Sequence, residues 1–469
     1  MRTLSPRALA GLFTIALVAT SSKSAAQTSD WPGYLHDASH SSYNPLATAI
    51  TPANAGSLVQ NWMFTDRPPT ITGQPAVGFN ASPTIHEGVV YIGSNTGQFY
   101  ALDENTGRIL WHRLLGFSNG VTCRAQGIVS TAAVATDPVS GVLTVYVGGG
   151  NGFLYALDAS NGRVIWKHLV VKIGTTQSEG FAWSSPLLVS GAVYMGVASQ
   201  CDNPLIRGGI KSYDMHTGTP LHLYWTTPKN TIGASVWTSP ASDQDFVWIT
   251  VGNGDQGDSY SIVRLSLDLA FQTKWTVPDI VGTDLDWGSS PTLFQATLSG
   301  TPTQMIGANE KNGIFYAFKS ISLEEGPVWT RQVGVSGQLG THGTCLAAPI
   351  WDAATGQLFV GSNQTTIQSQ TFAGSIRSLD PATGAVIWET GVTAGPVMGS
   401  PTLNGAGVLA AGTYSIPNPT GNAVYLFDAS NGNILTSFPE SSLVFAQPVF
   451  ADNHLFIATS GGLLFAYSP

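Results

Sequence analysis

Residues 90–111 read VYIGSNTGQFYALDENTGRILW, and residues 145–166 repeat them closely as VYVGGGNGFLYALDASNGRVIW. Weaker copies of this pattern follow along the chain, at 193–225, 247–275, 305–329, 358–388, 408–438 and 455–467. Self-similarity at a fixed period is the sequence signature of repeat architectures such as solenoids and propellers. The repeat therefore predicts an architecture built from similar units.

A second marker precedes most copies. It is a small or polar residue followed by Pro or Ala, and its first residues are Ser82, Thr131, Ser185, Ser239, Ser290, Ala348, Ser400 and Gln447. Successive markers lie roughly 50 residues apart, a spacing within the range of propeller blades. The chain thus contains eight units.

The pattern of each unit predicts four short strands. The marker lies on the first strand and the terminal Trp on the fourth. A four-stranded sheet with two apolar faces needs a neighbour on each side, which radial stacking supplies. Trp62 precedes the first marker, and no Trp follows the last marker at Gln447. We therefore expect residues 59–64 to close the blade begun by residues 447–467. The sequence predicts an all-β, eight-bladed β-propeller of four-stranded blades, in one domain over 58–469.

Composition excludes two classes of protein. Nineteen Lys and Arg residues against 28 Asp and Glu give a net charge of −9, so no basic surface is available for a nucleic acid. The hydrophobic content of 43% excludes an acidic disordered chain.

The first residues have the pattern of a signal peptide, which we place at 1–26. Arg2 and Arg7 precede an apolar run at 8–19, and Ser24-Ala25-Ala26 supplies the small residues that a signal peptidase recognises. An uncleaved anchor is the alternative, although the run is too short to span a bilayer. We expect a lead segment at 27–57 and a mature protein without a membrane span, periplasmic or secreted.

The repeat at 155–166, YALDASNGRVIW, resembles the PQQ-type repeat of the quinoprotein alcohol dehydrogenase superfamily. Local matches at 196–209, 233–240 and 284–291 resemble its polyvinyl-alcohol-dehydrogenase-like branch, and the resemblance covers essentially the whole mature chain. It implies an exported PQQ-dependent oxidoreductase that passes electrons from an alcohol, including a polymeric polyol, to an external acceptor. The chain has no Cys-x-x-Cys-His for a covalent haem, so a separate acceptor such as a cytochrome c is expected.

The resemblance also assigns roles to single residues. Trp237 matches the Trp that stacks on the flat quinone, and Lys311 matches the cation that binds the quinone oxygens. Arg207 matches an Arg-Gly of the cofactor site. Asp286 matches the catalytic base that takes the hydroxyl proton, and Asp284 competes with it for that role. The simpler interpretation gives these residues structural roles only. Trp237 is then a core residue, Lys311 a lysine in a turn and Asp286 an Asp that caps a loop.

A calcium ion is the second cofactor that the resemblance implies. Asn253 and Asp286 match its ligands, and oxygen donors of this kind suit calcium. The usual Glu ligand is replaced by Asn203, with Asp202 one residue away. The adjacent cysteine pair of the family is reduced to Cys123, and the Arg that follows the pair becomes Gln126.

Three cysteines remain to be placed. Cys123 and Cys201 open loops at comparable positions on successive blades, so we expect a disulfide between them and a free Cys345. Three buried unpaired thiols are the alternative.

The altered anchors favour a second class of function, a non-catalytic propeller that binds a protein or a glycan. The two classes differ in one spatial expectation. A quinoprotein requires Trp237, Asn253, Asp286 and Lys311 to converge on one axial pocket. If Lys311 lay more than roughly 10 Å from Trp237, the enzymatic function would be excluded, because one cofactor could hardly contact both residues.

Overall fold

The computed structural model describes Met1 and residues 29–68, 71–118, 120, 122–174, 179–202, 204–278, 284–337 and 343–469. Eight antiparallel sheets succeed one another along this part of the chain, and its helical structure consists of two 3-10 turns, Ala55–Ser57 and Leu323–Glu325. The prediction of an all-β, eight-bladed propeller with four-stranded blades is confirmed. The proposed signal peptide lies outside the described residues, apart from Met1.

We number the blades in chain order. Blades 1 to 4 consist of Thr84–His86, Val89–Gly93, Gln98–Asp103 and Ile109–Leu114; Ala133–Thr136, Leu143–Gly148, Phe153–Asp158 and Val164–Leu169; Leu187–Val189, Ala192–Ser199, Gly209–Asp214 and Pro220–Trp225; and Ala241–Ser242, Phe246–Thr250, Ser261–Ser266 and Phe271–Thr276.

Blades 5 to 8 consist of Thr292–Leu298, Thr301–Asn309, Ile314–Lys319 and Trp329–Gln332; Ile350–Asp352, Gln357–Ser362, Gly374–Leu379 and Val386–Val392; Thr402–Asn404, Val408–Gly412, Asn422–Asp428 and Ile434–Glu440; and Val449–Ala451, His454–Ala458, Leu463–Ser468 and Val59–Thr65. Short additions are Gly180–Phe181 on blade 3, Tyr43–Asn44 on blade 7, and a hairpin of Thr365–Ile367 with Gln370–Phe372.

The ring is closed between the two ends of the chain. Val59–Thr65 pairs antiparallel with Leu463–Ser468, and Trp62 lies opposite Ala466 in this register. The expected closure by residues 59–64 is therefore confirmed. An N-terminal strand thus completes the blade that the C-terminal residues begin.

The repeated Trp residues fasten blades 8, 1, 2, 5 and 6 to the blade that follows each of them. The Trp111 Nε1–H of blade 1 donates to the Ala159 carbonyl of blade 2 at 2.8 Å. The indole also covers Gly162, where an added Cβ would lie 2.4 Å from Trp111 Cε3. The same contact recurs at Trp62, Trp166, Trp329 and Trp388. The Gly of the repeated turn is therefore a packing requirement as well as a turn requirement.

The marker residues form a second connection, around the axis. Six of the eight donate the backbone N–H to the side-chain oxygen of the marker on the following blade, at 2.9–3.0 Å: Gln447 to Ser82, Ser82 to Thr131, Thr131 to Ser185, Ser185 to Ser239, Ser239 to Ser290, and Ala348 to Ser400. We call these residues, without Ala348, the axial ring. Ala348 interrupts the series because its side chain has no oxygen.

An N-terminal segment, residues 31–44, runs from blade to blade along the first strands. Its carbonyls accept N–H bonds from blades 4, 5, 6 and 7, donated by Ser242, Leu293, Trp351 and Leu403. Trp31 pairs with Ile85 of blade 1. This segment, which the sequence left as a lead segment, ties most of the blades together. Within the described residues, no helix has the length and apolar character needed to cross a membrane.

Candidate functional site

A cavity of about 440 Å³ lies at the axis and takes lining residues from all eight blades. Every axial-ring residue lines it, and so does the residue two positions before each marker. This upper layer consists of Asn80, Val129, Trp183, Trp237, Gly288, Leu346, Met398 and Phe445. The repeat therefore brings equivalent positions of eight units to one site.

Trp237 is held in place by two glycines and a carboxylate. Its Nε1–H donates to Asp286 Oδ2 at 3.0 Å. An added Cβ on Gly288 would lie 3.0 Å from Trp237 Cη2, and one on Gly252 would lie 3.3 Å from Cδ1. Side chains at these two positions would push against the indole, so the glycines leave room for it in this orientation.

The charges of the cavity meet at Lys311. Its ammonium Nζ lies 2.6 Å from Asp286 Oδ1 and 2.5 Å from Asp284 Oδ1. The same nitrogen is 5.1 Å from the ring centre of Trp237. Asp286 and Lys311 are buried, whereas the Asp284 side chain is 32% exposed. Burial makes these charges strongly dependent on one another.

Burial raises the pKa of Asp286 above its usual value, although the Lys311 ammonium and the Trp237 N–H act against the shift. For Lys311, burial opposes the charged form, but Asp286 and Asp284 outweigh it and raise the pKa. Behind them, burial raises the pKa of Glu310 to about 8. An ionised Asp286 therefore depends on its contact with Lys311.

Asn253 and Asp202 form a separate pair on the cavity wall. Asn253 Nδ2 donates to Asp202 Oδ2 at 3.0 Å, and both residues line the cavity. Asn203 lies outside the described residues. Among the residues that the structure does describe, no group of three or more His, Cys, Asp or Glu side chains is arranged to hold a metal.

Arg207 is placed elsewhere. Its guanidinium donates to the Thr227 carbonyl, at 2.6 Å from Nη2, and lies 4.5 Å from the ring centre of Trp225. It is not among the residues that line the cavity. The structure thus brings together Trp237, Lys311, Asp286, Asn253 and Asp202, but not Arg207.

The expected disulfide is confirmed, since Cys123 is bonded to Cys201 across 78 positions of sequence. Cys201 lines the cavity, so a disulfide borders the site even though the chain has no adjacent cysteine pair. Gln126, at the position of the family's Arg, also lines the cavity. Cys345 is free and buried, as predicted.

The sequence interpretation missed several lining residues, among them Trp183, Tyr34 and Tyr414. Trp183 is the equivalent of Trp237 one blade earlier, two positions before its marker, and its Nε1–H donates to the Ser199 carbonyl at 2.9 Å. A systematic comparison of the position two residues before each marker would have found it. Tyr34 belongs to the N-terminal segment, whose path no repeat predicts.

A larger cleft of about 560 Å³ lies elsewhere, between blades 5 and 6. Its buried Arg377 is bonded to Glu389, to the Val333 carbonyl and to the Thr365 hydroxyl. Because these contacts already satisfy the guanidinium, we consider the axial cavity the better candidate for a functional site.

Comparisons with known proteins agree with this architecture. Residues 31–262 match the family model described as the β-propeller domain of glucose, ethanol and alcohol dehydrogenases. Residues 372–469 match a second model, described as outer membrane protein assembly factor BamB. Both models thus match parts of the same ring of repeats.

Among curated proteins, the quinohemoprotein alcohol dehydrogenase of Comamonas testosteroni is 24% identical over 62% of this chain and 45% of its own length. Polyvinylalcohol dehydrogenase of Sphingopyxis sp. (strain 113P3) is 22% identical over 66% of this chain and 52% of its own length. The chain thus spans about half the length of these relatives. A europium-containing methanol dehydrogenase shares the fold, with a TM-score of 0.75 at 16% identity over 94% of this chain and 98% of its own.

Proposed function

Because the chain belongs to the PQQ-repeat propellers of the quinoprotein alcohol dehydrogenase-like superfamily, we propose that it is a PQQ-dependent alcohol dehydrogenase. One observation carries the proposal: Trp237, Asp286 and Lys311 contact one another in a single axial cavity. The Lys311 ammonium lies 5.1 Å from the centre of the Trp237 ring, close enough for one small cofactor to contact both.

The residues present fit a flat quinone. Trp237 offers an indole surface, on which a planar ring gains from area burial and offset stacking. Lys311 is a buried cation beside that indole, suited to bind the quinone oxygens. The Cys201 sulfur and Gln126 lie elsewhere on the lining of the same cavity. These groups would hold the ring plane and its polar edge.

The charge of the site favours an accompanying cation. Asp202, Asp284 and Asp286 line the cavity together with one ammonium, Lys311. A cofactor with three carboxylates would meet this excess of negative charge, which a divalent ion would offset. Asn253 and Asp202 provide the hard oxygen donors that calcium prefers, and Asp286 provides a third. Asp286 would share its carboxylate between this ion and Lys311.

When bound, the quinone would accept a hydride from the alcohol carbon. Asp286 takes the hydroxyl proton, since its buried carboxylate is kept available by Lys311 and each of its oxygens retains a free lone pair. Lys311 holds a positive charge 5.1 Å from the centre of the Trp237 ring, where it would stabilise negative charge on a quinone stacked against that ring. Trp237 fixes the carboxylate through its N–H and so orients the base.

We also propose that the protein is exported to the periplasm or secreted, and that a separate carrier such as a cytochrome c accepts the electrons. The Cys123–Cys201 disulfide supports export, because such bonds persist in oxidising compartments. The substrate is an alcohol, including polymeric polyols.

A second candidate is a propeller that binds a protein or a glycan without catalysis. The match of residues 372–469 to the assembly-factor model favours it. The hydrogen bond between Asn253 and Asp202 also favours the scaffold, because two of the proposed calcium ligands are already paired with each other.

Reconstitution separates the two candidates. The mature protein is incubated with PQQ and calcium, and alcohol oxidation is followed with an artificial electron acceptor. We expect activity that requires both additions and that Asp286→Asn lowers by about a hundredfold or more. No turnover with a broad set of alcohols, in protein shown to be folded, would favour the scaffold.

A further inference from the structure

The axial ring presents hydroxyl protons to the cavity. A serine or threonine hydroxyl has one proton to donate and two lone pairs with which to accept. In Ser82, Thr131, Ser185 and Ser239 one lone pair accepts the N–H of the preceding blade. Among the described residues, no acceptor receives the protons of these four hydroxyls, although all four side chains are at most 6% exposed. Four donors therefore lie on one arc, on blades 1 to 4.

An unpartnered acceptor continues this arc on blade 8. Gln447 is 1% exposed, and its Nε2 donates to the Ser42 hydroxyl at 2.8 Å and to the Pro401 carbonyl at 3.0 Å. Its Oε1 is buried without a partner in the described structure, and the residue lines the cavity. A buried amide oxygen without a hydrogen bond is costly, so the geometry calls for a donor at this point.

The rest of the ring has a different occupant. On the far side, the Tyr34 hydroxyl of the N-terminal segment lies 3.4 Å from Ser400 Oγ. The same hydroxyl also shares a hydrogen bond with the side chain of Ser290 on blade 5. The free donors and the free acceptor are thus confined to the half of the ring formed by blades 8 and 1 to 4.

The chemistry of this half ring selects its ligand. It is uncharged, its four hydroxyls can donate, and Gln447 Oε1 can only accept. A hydroxyl group satisfies both, because it accepts from a serine and donates to Gln447 Oε1. A carboxylate could use the donors but would leave the amide oxygen without a partner and place two acceptors side by side. A cation would find only neutral oxygen atoms in this half ring, with no carboxylate to offset its charge.

We propose that the axial ring is a second substrate site, which binds a hydroxyl group of a polyol while another hydroxyl of the same molecule lies beside Asp286. The inference rests on the proposed function and names its substrate as a neutral molecule with at least two hydroxyls. Asp286 and every axial-ring residue line the same cavity of about 440 Å³, so one molecule inside it can contact both.

The first test compares a terminal pentanediol with pentanol, which has the same carbon chain and one hydroxyl fewer. In the reconstituted enzyme we expect a KM about tenfold lower for the diol, because one additional neutral hydrogen bond is worth about that factor. In Thr131→Val, which keeps the side-chain shape without the hydroxyl, the two KM values become equal. In Thr131→Ser, which restores the hydroxyl, the preference returns. Equal KM values in the wild type, or an unchanged preference in the Val variant, would overturn the inference.

A second measurement does not depend on turnover. Calorimetry with sorbitol, on protein without added PQQ, measures polyol binding to the cavity, and the Thr131 variants show whether that binding depends on the ring. Thermal unfolding shows that each variant is folded. We expect binding to wild type and Thr131→Ser and a loss of about tenfold in Thr131→Val. Binding without any PQQ-dependent oxidation would refute the proposed dehydrogenase but keep the ring site. Oxidation without a diol preference and without sorbitol binding would refute the ring site alone.

A third experiment decides whether a polymer or a small polyol supplies the hydroxyl groups. Soluble vinyl alcohol oligomers and small diols are compared at equal hydroxyl concentration. Tighter binding of the oligomers, lost in Thr131→Val, assigns the ring to a polymer, and equal binding assigns it to small polyols. Binding of both that is insensitive to Thr131→Val would contradict the site.

Discussion

Asp286 combines burial with two polar contacts, and this combination sets the chemistry of the cavity at the scale of the residue. Its 2% exposure raises its pKa, while Lys311 and the Trp237 N–H favour the charged form. Asp284 contacts the same ammonium and raises the Asp286 pKa through repulsion. The sequence named both aspartates but could not rank them, because only the fold shows which one is buried against Trp237.

The ranking predicts opposite outcomes for two matched variants. Asp286→Asn removes the proposed base, so we expect kcat to fall by about a hundredfold or more. Asp284→Asn removes a repulsive neighbour, so the Asp286 pKa falls and the acid limb of the kcat/KM profile moves to lower pH. The sign follows because the ionised carboxylate is the active form and activity is lost as the pH falls through its pKa. If Asp284→Asn abolished turnover while Asp286→Asn spared it, the roles would be reversed.

At the scale of the element, blades are joined by one recurring contact. The turn between the third and fourth strands of one blade packs against the Trp of the preceding blade. The sequence showed both parts, because they recur in nearly every copy. It could not show that the Gly of one blade lies under the Trp of another, since that contact depends on the angle between blades. The repeat does not single out Trp183, because this residue lies outside the repeated Trp position.

A pair of glycine variants isolates this contact. Gly162 and Gly141 both have positive φ, of 69° and 71°, but a Cβ would meet the Trp111 ring at Gly162 and nothing within 4 Å at Gly141. We expect Gly141→Ala to cost about 1 kcal/mol from backbone strain alone. Gly162→Ala should cost at least about 2 kcal/mol, because the indole must also move. Denaturant unfolding measures both, and equal losses would show that the contact is unimportant.

The Cys123–Cys201 disulfide joins loops of blades 2 and 3 at the cavity. Because it closes a loop of 78 positions, chain entropy predicts a loss of up to about 4 kcal/mol on its removal. We expect a reducing agent to lower the Tm of wild type and of Cys345→Ala but not that of Cys201→Ser. A reductant effect that persisted in Cys201→Ser would contradict this assignment.

The axial ring and the N-terminal segment hold the ring of blades together at the scale of the whole molecule. The sequence predicted the number of blades and the strand that closes them, because both follow from counting markers and Trp residues. The path of residues 31–44 could not be predicted, since it belongs to no repeat and turns through several non-Gly positions with positive φ, including Leu35 and His40. The convergence of the site depends on this closure.

His40, in the N-terminal segment, makes the stability of the protein sensitive to acid. It is 3% exposed, its Nδ1 lies 2.9 Å from the Pro291 carbonyl, and burial lowers its pKa from 6.5 to about 4. Between these values the unfolded chain binds a proton that the folded protein does not. Stability is therefore lost as the pH falls from 6.5 to 4, by about 3 kcal/mol from this group. Unfolding free energies measured across this window should fall less steeply in His40→Gln, and an identical slope would exclude His40 as the cause.

Titration of the mature protein with PQQ, with and without calcium, tests the central claim most directly. Calorimetry on wild type, Trp237→Ala and Lys311→Ala shows whether the axial cavity is a cofactor site. We predict binding that calcium strengthens and that both variants lose, together with little heat from calcium alone, since Asn253 and Asp202 are already bonded to each other. No heat and no thermal stabilisation at saturating PQQ, in wild-type protein with calcium present, would contradict the claim and leave a binding scaffold.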